Sequence, residues 1–269
     1  MQNQPFHGKT AFVSGASSGI GKAIAEEFGR RGLHVVLAST RLADVERVAA
    51  DIPGASAVQL DVRDEANWIE ALDIAEERHG PLAVMVSNAG ISGVVLPLSE
   101  TPSEAWEWSR AVNLDGAFYG LSHGARRILA SGQPGHIIAT SSMSIFAPPA
   151  GSGIYIATKS AVVGLCESLR AEMAEKPVGV SVIMPGATKS NIVDGHARRA
   201  PANLPTQDMS AQSAGVSNGL DPEVVARQTA DVLGTDQFWI FTHPELEHRM
   251  ITRNAEMTAA IKAVDRTNR

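Results

Sequence analysis

The stretch Thr10-Ala11-Phe12-Val13-Ser14-Gly15-Ala16-Ser17-Ser18-Gly19-Ile20-Gly21 decides how this chain folds. Its first five residues carry no charge and an apolar centre, the pattern of a short strand buried on both faces. Glycines follow at positions 15, 19 and 21, and Ile20 to Arg31 continues with helical spacing. Bare glycine backbone allows a tight turn and close approach to a ligand. The helix start that follows offers free N–H groups and the positive end of its dipole to a pyrophosphate. The spacing is Gly-x3-Gly-x-Gly rather than the commoner Gly-x-Gly-x-x-Gly, and glycine-rich turns also serve packing alone. Context supplies the decision.

The same rhythm repeats outward. Val35–Ala38, Ala57–Leu60, Leu82–Val86, His136–Thr140, Val178–Met184 and Phe238–Phe241 read as further strands. Helical stretches lie between them, near Leu42–Asp51, Glu65–His79, Ser103–Ala130 and Tyr155–Ala174. Short apolar strands separated by helices predict an α/β fold: an open, doubly wound parallel (Rossmann) sheet of about seven strands, with helices on both faces. One dinucleotide-binding catalytic domain is expected over residues 1–269. Asn191 to Leu220 breaks the rhythm, being rich in Ala, Pro, Ser, Asn and Gly. It follows the sixth strand, on the edge where such sheets bind ligands, and a substrate lid is expected there.

Composition excludes several classes. Hydrophobic residues make up 44% and charged residues 19% of 269, ordinary globular usage rather than disorder. Twenty-three Lys+Arg against 29 Asp+Glu give a formal charge of −6, which argues against nucleic acid or an anionic membrane as partner. No uncharged apolar run reaches the ~18 residues a membrane helix needs, so a cytoplasmic protein acting on a small molecule is expected. The lone Cys166 excludes an internal disulfide and a multi-cysteine metal site, and among apolar neighbours it reads as a packed thiol. His243 and His248 flank Pro244, which breaks a helical pair, so a strand-to-helix junction is expected and no metal. Arg126-Arg127 and Arg198-Arg199 read as solvated faces.

Chemistry gathers at the strand ends. In Tyr155-Ile156-Ala157-Thr158-Lys159 the spacing of four puts phenol and ammonium on one helix face. An ammonium beside a phenol favours the phenolate and makes it a usable acid/base near neutrality. Ser142 lies just past the fifth strand, Asn88-Ala89-Gly90 past the fourth and Pro185-Gly186 past the sixth, with Asn113 in the long helix. Five strand ends thus converge on one crevice.

Together these motifs closely resemble the short-chain dehydrogenase/reductase family over about residues 6–190. The resemblance assigns Gly15, Gly19 and Gly21, with Ser17, Ser18 and Ile20, to the cofactor loop, and Asn88, Ala89 and Gly90 to the family's Asn-Ala-Gly motif. It implies Asn113, Ser142, Tyr155 and Lys159 as catalytic residues, Asp61 and Val62 at the adenine, and Pro185, Gly186, Thr188 and Ser190 at the nicotinamide. The implied reaction is hydride transfer between nicotinamide and a carbinol carbon. Tyr155 would exchange the substrate proton, Lys159 lower its pKa and bond the nicotinamide ribose, Ser142 hold the substrate oxygen, and Asn113 support a relay water. Ser14 replaces the usual threonine and Ser87 a common second asparagine. Retention of all four catalytic types disfavours the alternative, a dinucleotide-sensing protein without catalysis. In the family the helices around Ala111–Ala125 and Ala157–Leu169 form a dimer interface, usually within a tetramer, so a homo-oligomer is expected.

The second strand ends Leu37-Ala38-Ser39-Thr40-Arg41, with serine where NAD-dependent relatives carry an acid. Ser39, Thr40 and Arg41 could meet a 2′-phosphate, so NADP is expected over NAD, although Ser18 stands where many NADP relatives are basic. Ile91, Val94, Val95, Met143, Ile145, Phe146, Ile192 and Val193 supply apolar walls, with Ser142, Met143, Phe146, Ile192 and Val193 expected against substrate. Such walls suit a hydrophobic or aromatic secondary alcohol or ketone. Pro185–Ile192 and Phe238–Glu245 also resemble the Cα-dehydrogenases of lignin aryl-ether breakdown, which oxidise a benzylic alcohol with NAD.

Overall fold

Thr10–Ser14 (β1) is buried at every residue and lies at the middle of a parallel sheet. A computed structural model of the chain describes residues 6–190, 192, 200–205 and 210–264. The other strands are β2 (His34–Ser39), β3 (Ser56–Gln59), β4 (Leu82–Ser87), β5 (Gly135–Thr140), β6 (Val178–Met184) and β7 (Trp239–Phe241). They pair in parallel in the order β3-β2-β1-β4-β5-β6-β7. The chain reverses its direction of travel between β1 and β4, and that switch opens a crevice at the carboxyl ends of the strands.

The helices in described residues are α1 (Gly19–Arg30), α2 (Leu42–Ala49), α3 (Glu65–His79), α4 (Ser103–Arg110), α5 (Gly116–Ser131), α6 (Gly153–Glu172), α7 (Ser210–Ser217), α8 (Pro222–Asp231) and α9 (Glu247–Lys262). Alternate strand residues fill two cores. Phe12 faces one, with Trp68 of α3 and Ile128 of α5; Ala11 and Val13 face the other, with Ile24 and Phe28 of α1 and Val225 of α8. Phe12 and Trp68 are fully buried with ring centroids 5.8 Å apart. Burying an aromatic ring of this size stabilises the fold by about 2–3 kcal/mol. Trp68 also donates from Nε1 to the Val62 carbonyl at 3.0 Å, so its one polar atom is satisfied.

Three expectations change. The single long helix over 103–130 is broken by a π turn at Ala111–Asp115, between α4 and α5. The irregular 191–220 stretch contains α7, whose Ala, Ser and Gly side chains carry no apolar stripe to announce it. Arg127 is not a solvated charge: its guanidinium joins Asp73 at 2.7 Å and Glu76 at 2.6 Å, pinning α5 to α3. Cys166 is buried and its thiol is pushed up to about 12, as expected of an inert core residue. The His243–His248 segment is a strand-to-helix junction, entering α9 through a short turn at Pro244–Leu246. Among the described residues no helix is long and apolar enough to cross a membrane, and no three metal-ligating side chains gather.

Candidate active site

Three strand ends, those of β1, β4 and β5, are stitched together before any catalytic group is reached. Ser14 at the end of β1 accepts at Oγ from the Asn88 and Ala89 N–H groups, at 3.0 and 3.2 Å. Asn88 Nδ2 donates to the Ser14 carbonyl at 3.1 Å, and Thr140 Oγ1 donates to Asn88 Oδ1 at 3.1 Å. Serine therefore does the anchoring at position 14. Gly15 turns away with φ +69°, where a Cβ would stand 2.8 Å from the Ala89 Cα. Only glycine fits that turn.

The turn delivers the start of α1 to the crevice. Ser18 at the N-cap makes no side-chain capping bond, and no acidic residue lies in the first turn. The free N–H groups and the dipole end are thus left for an anionic ligand. This cradle, with Ser17, Ser18 and Ile20 on its wall, fits a dinucleotide pyrophosphate.

A cavity of about 560 Å³ runs from Ser39 past the glycine turn to Ser142, Tyr155, Lys159 and the loop after β6. Ser141 Oγ donates to the Lys159 carbonyl at 2.8 Å, tying α6 to the end of β5. Ser142 caps the turn Met143–Ile145, accepting from the Ser144 N–H at 3.1 Å, and shares the cavity wall with Tyr155. Lys159 is 4% exposed and donates from Nζ to the Thr140 carbonyl at 2.8 Å. Burial pulls its ammonium down to about 8. Tyr155 departs from the expected depression: burial raises the phenol above its ordinary 10, and the polar influence of the Ser142 hydroxyl opposes this without overcoming it.

Asn113 sits in the π turn and is 1% exposed. Its amide is spent on the Ile91 backbone, Oδ1 accepting from the N–H at 2.8 Å and Nδ2 donating to the carbonyl at 3.0 Å. Nδ2 also reaches Thr158 Oγ1 at 3.3 Å. The side chain is therefore not on the cavity wall, although a Cβ on Gly90 would lie 3.3 Å from both Asn113 Oδ1 and Lys159 Nζ.

The remaining expectations divide. Asn88, Ala89, Gly90, Pro185, Gly186, Thr188 and Ser190 line the cavity, as do Met143 and Ile192 of the expected substrate residues. Phe146 does not: its ring packs on Phe241, centroids 6.2 Å apart. Val193 lies outside the described residues. Val62 is buried in the core, and Asp61 pairs with Arg63 at 2.6 Å, whose hydrogen bond holds the carboxyl below its usual range. Arg41 is exposed and pairs with Asp44 at 2.5 Å.

Sequence reasoning missed the wall made by His243, Glu245, Leu246 and Arg249, which line the cavity beside Gly215 and Val216 of α7, residues of the expected lid stretch. His243 accepts at Nδ1 from the Gly186 N–H at 3.0 Å and donates from Nε2 to the Ala187 carbonyl at 3.0 Å. Thr242 Oγ1 adds a donor to Nδ1 at 2.7 Å. The imidazole clamps the loop after β6. The resemblance of Phe238–Glu245 to a dehydrogenase subset was the available signal for this wall.

The short chain dehydrogenase family model matches residues 9–200. The C alpha-dehydrogenase of Sphingobium sp. (strain NBRC 103272 / SYK-6) is 31% identical over 252 residues, which are 90% of this chain and 82% of that protein. The NADP-dependent (R)-specific alcohol dehydrogenase of Lentilactobacillus kefiri is 39% identical over 193 residues, 70% of this chain and 76% of that protein. A short chain dehydrogenase/reductase from Burkholderia phymatum, solved in complex with NAD, superposes with a TM-score of 0.89 at 28% identity, covering 95% of this chain and 96% of that one.

Proposed function

The chain belongs to the short-chain dehydrogenase family, and from that premise we propose that it transfers a hydride between NADP and a hydrophobic or aromatic secondary alcohol or ketone. The observation that carries the reading is the gathering of Ser142, Tyr155 and Lys159 on the wall of one cavity that also takes in the glycine turn. When bound, the nicotinamide cofactor supplies or accepts the hydride.

The chain's own residues handle the oxygen and its proton. Ser142 holds the substrate oxygen beside Tyr155. Burial keeps the Tyr155 phenol protonated at neutral pH, so at rest it is an acid ready to protonate the oxygen of a ketone. For alcohol oxidation it must first give up that proton. Lys159 then matters twice, by stabilising the phenolate with its charge and by bonding the nicotinamide ribose. Because Asn113 spends its amide on Ile91, any relay water is held at its main-chain carbonyl, which a π turn releases from regular helical bonding.

NADP is the preferred dinucleotide in this reading, with NAD second. Ser39 lines the cavity where an acid would repel a 2′-phosphate, and the exposed Arg41 can exchange its surface pairing with Asp44 for that phosphate. The NADP-dependent relative supports this choice. Met143, Val95 and Ile192 supply the apolar wall for the substrate, and a relative named C alpha-dehydrogenase supports this substrate class. The 191–220 stretch acts as lid of this one domain, since Ile192, Gly215 and Val216 reach the cavity. The exposed Phe118 of α5 and the open surface at Gly164 of α6 suit a homodimer or tetramer packed through those helices.

The test is absorbance at 340 nm with aryl ketones, aliphatic ketones and steroids, each run separately with NADPH and NADH. Turnover of an aryl ketone with NADPH preferred is expected. Dinucleotide binding with no turnover of any substrate would return the chain to a non-catalytic sensing role.

A further inference from the structure

Arg249 is out of place for a surface charge. It lines the cavity and is half-buried, whereas Glu245, one turn before it on the same wall, is exposed. Among the described residues no carboxylate lies within ion-pairing distance of Arg249 and no hydrogen bond engages it. Among the described residues every other arginine has an ion pair or hydrogen bond, except Arg126, which faces solvent. Withdrawing a guanidinium partly from water without a partner is unfavourable. Its place in the helix adds to the cost, because Arg249 is in the first turn of α9, where the dipole repels a cation. One turn later Arg253 donates to the Ile145 carbonyl at 2.7 Å, fastening α9 to the loop that carries Ser142 and Met143. The helix is thus fixed against the substrate end of the cavity with an unsatisfied cation on its inner side.

We propose that Arg249 is the recognition site for a carboxylate carried by the substrate. The class is then an apolar secondary alcohol or ketone with a carboxylate at the end away from the reacting carbon. A carboxylate there would complete the planar, two-point bonding that guanidinium favours. This assignment rests on the hydride-transfer reading above and narrows its substrate.

Three acid–amide pairs test it: 3-acetylbenzoate, 4-acetylbenzoate and 4-oxo-4-phenylbutyrate, each against its primary amide, with NADPH. The readout is the ratio of kcat/KM for acid over amide within one protein sample, which loss of folded protein does not alter. The native chain is expected to favour at least one acid by about 10- to 100-fold, the weight of a charge-assisted hydrogen bond. Arg249→Gln should bring that ratio close to one, Arg249→Lys should restore part of it, and Arg126→Gln should leave it at the native value. Dinucleotide Kd, read by fluorescence titration, should be the same for Arg249→Gln as for the native chain. Equal treatment of acid and amide in all three pairs by the native chain overturns the assignment while amide turnover preserves the hydride-transfer reading. A weakened dinucleotide Kd in Arg249→Gln also overturns it, making Arg249 a cofactor phosphate contact. Absence of turnover of all six compounds overturns both readings.

Discussion

Lys159 donates from Nζ to the main-chain carbonyl of Thr140 at 2.8 Å, at the very strand end that Asn88 ties to β1. The ammonium is buried, and among the described residues its one hydrogen-bond partner is neutral. The fold therefore bears the cost of a charge that it does not pair, and strain of that kind gathers at functional sites.

Lys159→Met should consequently stabilise the protein without ligand while disabling it. The methionine matches the lysine in length and needs no solvation; the Thr140 carbonyl loses one donor in exchange. A rise in Tm of roughly 2–5 °C at pH 7 is expected in calorimetry. The folded pKa of about 8 lies below the ordinary 10.5, so between pH 8 and 10 the unfolded chain holds a proton that the folded chain has released. Native stability should then climb with pH across that window, and the variant should lack the climb. Activity separates two roles. Tyr155→Phe should cut turnover by ~10²–10⁴-fold with dinucleotide binding retained, whereas Lys159→Met should lose both.

His136 sets the acid limit. It is fully buried in β5, its Nδ1 accepts from the Gly234 N–H at 3.2 Å, and its Nε2 bonds Ser181 Oγ at 2.8 Å. Burial pulls its pKa from 6.5 to about 4. Between those values the unfolded chain binds a proton that the folded chain refuses. Stability is full above pH 6.5 and falls as pH drops to 4, by up to about 3 kcal/mol. Urea midpoints across that range should show the loss, and His136→Asn should flatten it. An unchanged slope in the variant would transfer the effect to other groups.

The proposed preference for NADP rests on Arg41. Its side chain is 61% exposed and held by Asp44, which Arg47 shares. Arg41→Ala should raise the KM for NADP about 10-fold and leave that for NAD nearly constant. Equal effects on the two dinucleotides would remove the NADP preference.

The imidazole clamp gives a further test. A Cβ on Gly186 would stand 2.7 Å from His243 Cγ, so ring and loop are in contact as well as bonded. His243→Phe keeps the ring but leaves the Gly186 N–H without an acceptor, which costs about 1–3 kcal/mol when buried. Dinucleotide Kd should weaken by about 10-fold in a protein of near-native circular dichroism. Native Kd in that variant would reduce His243 to packing.

Strands were legible because both faces of a parallel sheet are covered, leaving short uncharged runs such as Val178–Met184 that are apolar at all but Ser181 and Gly179. The glycine turn and the Ser142–Tyr155–Lys159 set were legible because spacing and strand ends placed them at one edge. Depth was not legible. The interval between Tyr155 and Lys159 gives proximity but not burial, and burial is what reversed the expected shift of the phenol. Nor was the α9 wall, because a helix with no buried residue has no apolar stripe to read, and Arg249 looks in sequence like any surface cation. The π turn was hidden inside a stretch whose helical periodicity survives on either side.

The central place of β1 has a consequence for how the molecule is made. It leaves the ribosome before either of its sheet neighbours, yet one of them, β4, begins only at Leu82, and the cavity whose wall begins at Gly15 is not closed until Arg249 has emerged. Parallel neighbours so far apart must close long loops before contact rewards them, so the early strand waits with its edge unpaired. A dinucleotide that engages the finished crevice binds the native chain alone and draws the folding equilibrium toward it by mass action. The supply of cofactor in the cell then sets how much of this protein persists, quite apart from how fast each molecule turns over.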